Sequence, residues 1–218
     1  FYNQTVMKDS AEPCFPTPTI GMIGLVPDKK NIMTLDFKQP GDLIYILGEC
    51  HDDISSSEYL TNYLQVEESP APFFNMDKEV QLQKVLLDLI QSKKIQSAHD
   101  VSDGGLYVSL VESGMVRNLG FDIFTNHDFR QDAYLFGEVQ GRVVVSVSDE
   151  SKANFESLIK EFDVPCEAIG KVNDGNFVID GESFDCRPHL RNGDLPDEAF
   201  DIVDALFAKE ADQIRKRC

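Results

Sequence analysis

The chain has 218 residues, enough to bury a sizeable core as one large domain or two small ones. Apolar residues make up 42%, with 15 Phe and no Trp, which excludes a disordered chain. Acidic residues outnumber basic ones 38 to 20, and the formal charge of −18 repels nucleic acid and anionic membranes while favouring basic partners.

Residues 1–16 read as irregular, broken by Pro13 and Pro16. Residues 17–26 are mostly apolar with two glycines and stop at Pro27, which suits a buried strand approached by another backbone. Residues 32–37 alternate loosely as a second strand, Pro40-Gly41-Asp42 is a turn, and residues 43–47 are a buried strand. Ser55 and Glu58 have capping-box spacing ahead of a short helix over 58–64. Past the Pro70-Ala-Pro72 linker, Asp77 is expected to cap an amphipathic helix. Its Val80, Val85, Leu86, Leu89 and Ile90 recur at three- and four-residue spacing, and Lys93 and Lys94 suit its negative end.

Residues 95–101 read as a short strand. Ser102 then caps a helix running from 103 to about 118, with Leu106, Leu110, Val111 and Met115 on its apolar face. Strands follow at 120–124, 142–147 and 165–172, with a short helix or turn at 133–137 and a helix at 152–162. Residues 176–179 and 183–186 resemble a hairpin, and 196–216 an acidic helix with Phe200, Val203 and Phe207 on one face. Strands and helices alternate without a regular βαβ period, which argues for a mixed sheet with helices on its faces.

Cysteines 14, 50, 166, 186 and 218 form no C-x-x-C pair, so neither a zinc site nor a disulfide framework is expected. No signal peptide and no apolar run of about 18 residues is present, so secretion and membrane spanning are not expected. The chain opens on Phe1 and reads as a piece of a longer polypeptide, with Cys218, after a basic run, as a natural end.

The densest polar stretch is His99 to Gly105, at a strand-to-helix turn. One reading makes it an anion site: N–H groups at a helix start bind phosphate, Gly104 and Gly105 let it approach, and Asp100 and Asp103 hold Mg²⁺. The other makes Gly104-Gly105 a packing joint and Asp103 a helix-end charge. The turn is neither G-x-G-x-x-G nor a Walker loop. His99 has no second His or Cys at ligand spacing, so a structural hydrogen bond is expected and no metal site is assigned. Glu138 and Gln140, two apart on an extended segment, point to one side, as a substrate-binding pair or a solvent-facing edge. Neither G-x-S-x-G nor H-E-x-x-H occurs, and no catalytic residue is assigned within the chain.

Ala98-His-Asp-Val-Ser-Asp-Gly-Gly-Leu106 resembles the signature of the C-terminal domain of the AIR synthase-related superfamily. Five further words follow the order found in the PurL-type phosphoribosylformylglycinamidine synthases of the small bacterial and archaeal kind. They are Phe1-Tyr-Asn-Gln-Thr5, Thr17-Pro-Thr-Ile-Gly-Met-Ile-Gly-Leu25, Gly41-Asp-Leu-Ile-Tyr45, Ser57-Glu-Tyr-Leu60 and Leu135-Phe-Gly-Glu-Val-Gln-Gly-Arg-Val143. The resemblance implies an α+β fold, a three-layer α/β/α mixed sheet like the PurM C-terminal domain. It implies that residues 1–28 end a second N-terminal-type domain and that 29–218 form a C-terminal-type domain with an acidic helical tail.

The activity implied is that of a cytoplasmic ligase of purine synthesis. ATP and Mg²⁺ serve the full-length enzyme, and neither is expected to bind this fragment tightly. Ammonia arrives from a glutamine amidotransferase subunit aided by a small helper subunit. The other implied partners are the chain's own upstream domains, and the fragment itself could self-associate. The family's Gly-Asn-Val-Ser word and catalytic histidine lie upstream of Phe1. The Glu-Ser-Gln substrate motif of the first copy is here Glu138-Val139-Gln140, without the hydroxyl. The pocket residues implied, His99, Asp100, Ser102, Asp103, Gly104, Gly105, Glu138 and Gln140, thus belong to an auxiliary copy, and the fragment alone is expected to be inactive. The alternatives are a non-catalytic docking module and another superfamily member.

Overall fold

The computed structural model describes residues 4–7, 10–13 and 19–184, and the chain divides into two compact units, Phe1–Ile32 and Met33–Cys218. The first unit holds a small hairpin where irregular chain was expected. In it β1 (Gln4–Val6) pairs antiparallel with β2 (Ala11–Pro13), and Met7 N–H donates to Ser10 O at 2.8 Å across the turn. Residues 19–26 form no strand. Ile20, Met22, Ile23 and Leu25 are exposed, and open space surrounds Gly21 and Gly24. Apolar composition does not make a strand by itself; the backbone groups need a neighbouring strand, and no strand among the described residues pairs with these. Thr17 and Pro18 lie outside the described residues.

The second unit contains β3 (Leu43–Leu47), α1 (Met76–Gln91), β4 (Ser97–Asp100), α2 (Gly105–Met115), β5 (Gly120–Ile123), α3 (Gln131–Phe136) and β6 (Val143–Val147). After these come α4 (Lys152–Ile159), β7 (Cys166–Asn173), β8 (Phe177–Ile179) and β9 (Glu182–Phe184). Its strands form a seven-stranded sheet in the order β4-β6-β3-β7-β5-β8-β9. Every pair is antiparallel except β5 with β8, so the sheet is mixed.

Alternation along the strands sends side chains into two cores. Ile44, Ile46, Val144 and Phe121 pack with Leu106, Leu110, Tyr134 and Phe136 of α2 and α3. Tyr45, Leu47, Val145 and Val147 pack with Leu82, Val85 and Leu89 of α1 and Phe155 of α4. The fold is therefore the expected α+β three-layer α/β/α sandwich. Both faces of β6 are covered, which is why all five of its residues are buried.

Several local expectations give way to contacts from elsewhere in the chain. Residues 32–37 are not a strand; only isolated bonds hold them, Ala98 N–H to Thr34 O at 3.2 Å and Phe37 N–H to Ser113 O at 2.8 Å. The 58–64 helix is a single π-helical turn, Tyr59–Tyr63. The Ser55–Glu58 box does not form, because Ser55 N–H donates to Asp53 Oδ1 at 2.8 Å and Ser57 Oγ instead accepts from Leu60 N–H at 3.2 Å. Asn75, not Asp77, caps α1, its Oδ1 accepting from the N–H groups of Asp77 and Lys78 at 3.1 Å each. Val80 is exposed, and Lys93 lies beyond the end of α1 in left-handed backbone (φ 56°). Cys186 and the helix expected over 196–216 lie outside the described residues.

Candidate functional site

The β4–α2 turn is shaped by two successive left-handed glycines, Gly104 (φ +79°) and Gly105 (φ +71°). A side chain on Gly105 would stand 2.7 Å from Leu135 O and 2.8 Å from Phe136 Cα, so its absence lets the start of α2 press against α3. Ser102 does not cap the helix: its side chain is exposed, and only its carbonyl accepts, from Gly105 N–H at 2.9 Å. The N–H of Gly104 instead donates to Glu138 Oε1 at 2.8 Å, and the same oxygen accepts from Glu58 N–H at 2.9 Å. The anion at the glycine turn is thus the chain's own carboxylate. Burial pushes the Glu138 carboxyl above its ordinary range against the pull of these two N–H groups, and the neighbouring carboxylates of Asp103 and Glu58 add to the rise.

His99 is buried between β4 and α2. Its Nδ1 lies 3.0 Å from Ser109 O and 3.2 Å from Ser113 Oγ, and its Nε2 lies 3.3 Å from Glu112 Oε2. The residue types mimic a Ser-His-Glu triad. Ser113, however, is fully buried and its hydroxyl donates to Ser109 O at 2.8 Å, so no substrate reaches it. The imidazole pins strand to helix.

Asp100, Ser102, Asp103, Glu138 and Gln140 line one open cleft of about 560 Å³, together with Phe74, Glu79 and Arg142. His99 and Gly105 are packed away from it. Arg142 is the cleft's one cation among the described lining residues, and it is buried. Its guanidinium donates to the carbonyls of Val139 (3.4 Å), Tyr134 (3.3 Å) and Gly137. The exposed surface of the cleft is therefore carboxylate, which repels a phosphate. Among the described residues no three His, Cys, Asp or Glu side chains come together as a metal-ligand set. The charged groups exposed in the cleft thus do not fit a nucleotide phosphate, which they repel.

The roles of Arg142 and of Glu58 at this site escaped the sequence reading. The one signal for Arg142 is a cation immediately before the most apolar strand, where it can only be buried against carbonyls.

The family described as AIR synthase related protein, C-terminal domain, matches residues 39–181. The phosphoribosylformylglycinamidine synthase subunit PurL of Alkaliphilus metalliredigens is 38% identical over 172 residues, covering 79% of this chain and 23% of that one. The PurL of Caldanaerobacter subterraneus is 38% identical over 173 residues, covering 79% and 24%. The chain therefore spans about a quarter of the length of these relatives. Among solved structures, T. maritima PurL complexed with FGAR superposes with a TM-score of 0.58 at 14% identity, over 71% of this chain and 28% of that one. T. maritima PurL complexed with ATP gives 0.54 at 16% identity, over 72% and 26%. PurLQS from Thermotoga maritima gives 0.55 at 16% identity, over 69% and 25%. These likenesses show the fold. With β3 to β8 and α1 to α4 inside the matched residues, the chain belongs to the AIR synthase related protein, C-terminal domain family.

Proposed function

We propose that this chain is the C-terminal part of a phosphoribosylformylglycinamidine synthase. The whole enzyme converts formylglycinamide ribonucleotide, ATP and glutamine-derived ammonia to formylglycinamidine ribonucleotide, ADP and phosphate. The observation that carries the proposal is the 38% identity to a PurL subunit over 172 residues. Residues 1–28 end a second N-terminal-type domain, and residues 29–218 are the second C-terminal-type domain with its acidic tail. The exposed Ile20, Met22, Ile23 and Leu25 support an apolar contact between this segment and upstream chain.

The chain's own part in the enzyme is structural. Glu138 satisfies the glycine turn from within, and the cleft beside it is acidic. ATP and Mg²⁺ therefore act in the upstream domains, and Asp100, Ser102, Asp103, Glu138 and Gln140 line an auxiliary pocket at the joint that His99, Gly104 and Gly105 shape. A glutamine amidotransferase subunit and a small helper subunit are the partners of the whole protein, a reading supported by the assembled PurLQS structure. The cytoplasm is the proposed location. No helix among the described residues is long and apolar enough to cross a membrane.

The test compares the full-length protein with the 218-residue chain in an assay of ADP release with formylglycinamide ribonucleotide, ATP and ammonium. The full-length protein is expected to release ADP only when all three are present, and the chain alone to release none. Turnover by the chain alone would overturn the structural role. A full-length protein with no substrate-dependent ADP release would overturn the assignment of the enzyme.

A further inference from the structure

We propose that the outer face of α1 is the docking site of the chain's own C-terminal segment, residues 196–217, held there as an antiparallel helix. Three things carry this: a solvent-facing seam on α1, a seam of the same length in the segment, and the charges beside both.

The core face of α1 is Leu82, Val85 and Leu89, all buried. A second row runs along the same helix through Met76, Val80, Gln83, Leu87 and Ile90. Its steps alternate between four and three residues, the a/d spacing of a coiled-coil seam. With 3.6 residues per turn, the row lies roughly 140° round the helix from the core face and is about 21 Å long. Met76, Val80 and Leu87 leave 63%, 41% and 54% of their surface in water, and Gln83 is exposed beside them. A helix packed on a sheet needs one apolar stripe. A second stripe at heptad spacing on the solvent side is a surface for another helix.

The segment that matches it belongs to the same compact unit. Phe200, Val203, Phe207 and Ile214 follow one another by three, four and seven residues, so this row also spans fourteen positions at a/d spacing. Pro196 suits the first turn of such a helix. The connection is long enough. Residues 185–195 separate β9 from Pro196 and reach about 40 Å when extended. From β9 to β6 the sheet crosses five strand spacings, about 24 Å, and α1 packs over β6 and β3 through Val145, Val147, Tyr45 and Leu47.

Charge sets the direction. The first turn of α1 carries Asp77 and Glu79, while Lys84 stands at its middle and Lys93 and Lys94 follow its end. The segment has the same polarity, with Asp197, Glu198, Asp201 and Asp204 at its start and Arg215-Lys216-Arg217 at its finish. An antiparallel pair therefore sets each acidic end beside a basic one, whereas a parallel pair sets like beside like. The α1 of a second copy obeys the same rule. It brings a charge of −18 against another −18, however, and the tethered segment has an effective concentration on the order of millimolar.

The experiment cross-links the 218-residue chain with a zero-length carbodiimide, which joins a lysine to a carboxylate only in contact. Equal amounts of ¹⁴N and ¹⁵N chain are mixed beforehand, and the linked peptides are read by mass spectrometry. The expected links join Asp197, Glu198, Asp201 or Asp204 to Lys84, Lys93 or Lys94, and Lys216 to Asp77 or Glu79, each within one isotope. Hydrogen exchange of the 200–214 amides measures the docking equilibrium. Leu87→Glu and Phe207→Glu are each expected to quicken it about tenfold, and Val116→Glu, an equally exposed apolar site at the end of α2, to leave it unchanged. Phe207→Glu leaves α1 intact, so the test holds should Leu87→Glu fail to fold. Links of mixed isotope would assign the seam to a second copy and overturn the proposal. So would the absence of links between the segment and α1, or exchange that neither Leu87→Glu nor Phe207→Glu alters.

Discussion

Glu138 ties together three stretches of chain that are remote in sequence, through a single oxygen 2.8 Å from Gly104 N and 2.9 Å from Glu58 N. Removing that acceptor strands both N–H groups, so Glu138→Ala is expected to cost about 2 kcal/mol in urea unfolding, and Glu138→Gln, which keeps an acceptor, less. The pH dependence has a definite sign. Burial raises the folded carboxyl above its ordinary value, so the folded chain holds this proton more tightly than the unfolded chain does. Stability linked to the proton is fully present below the unfolded value and is lost as pH rises through the folded one. The excess stability of the native chain over Glu138→Gln should therefore shrink as pH rises from the ordinary glutamate range toward neutrality, as read by thermal melts. A constant difference across that range would show that Glu138 does not titrate with folding. The glycines of the turn were legible because turn chemistry is local. Glu138 and Gln140 lie two apart on chain that forms no strand, and both line the cleft. The partnership of Glu138 with Gly104 and Glu58 was not legible, because it spans 34 and 80 residues and no local pattern encodes it.

At the scale of elements, α3 shows how a short helix is held. It has six residues and no side-chain cap, too few to persist alone. Arg142, just before the neighbouring strand β6, donates to Tyr134 O in its last turn and to Gly137 O and Val139 O just beyond it, so these carbonyls are not orphaned in the core. A lysine at this position has one nitrogen to place among three carbonyls. Arg142→Lys is thus expected to lose about 2–3 kcal/mol, measured by urea unfolding. Exchange of the 131–137 amides should quicken more than that of β3. Equal loss of protection in both would mean that Arg142 supports the whole core rather than α3. Long periodic elements such as α1, and apolar runs such as β3 and β6, were legible because their burial pattern is written in consecutive residues. Caps and single turns were not. Asn75 displaced Asp77, and Ser57 displaced Ser55, because Asp53 already held the Ser55 N–H. Residues 19–26 misled for the opposite reason: their composition is that of a strand, but pairing is a property of neighbours.

For the whole molecule the dominant quantity is a charge of −18, with a pI near 4.5. At neutral pH that excess carboxylate repels itself more in the compact state than in the expanded one, which lowers stability. Lowering the pH toward the pI relieves the repulsion. Asp42 and Glu138, both raised by burial, act in the same direction, since their linked stability fades as pH rises. Asp36 acts against them at the acid end. Although burial opposes it, hydrogen bonds from Thr34, Lys38 and Arg117 hold this carboxyl well below its ordinary range, with Arg117 Nε at 2.6 Å and Lys38 Nζ at 2.9 Å. Its stabilisation is present above the unfolded value and is lost as pH falls through the folded one. The two trends cross, so melting should be highest near about pH 5 at low salt, some ~3–6 °C above pH 7.5. Added salt shortens the screening length and weakens the surface repulsion, while the close, partly buried pairs of Asp36 with Arg117 and Lys38 are screened less. Calorimetry in about 0.3 M NaCl should therefore raise the melting temperature at pH 7.5 more than at pH 5, flattening the profile from its alkaline side. A profile that climbs steadily to pH 8 at low salt would mean that paired carboxylates, and not their mutual repulsion, govern this fold.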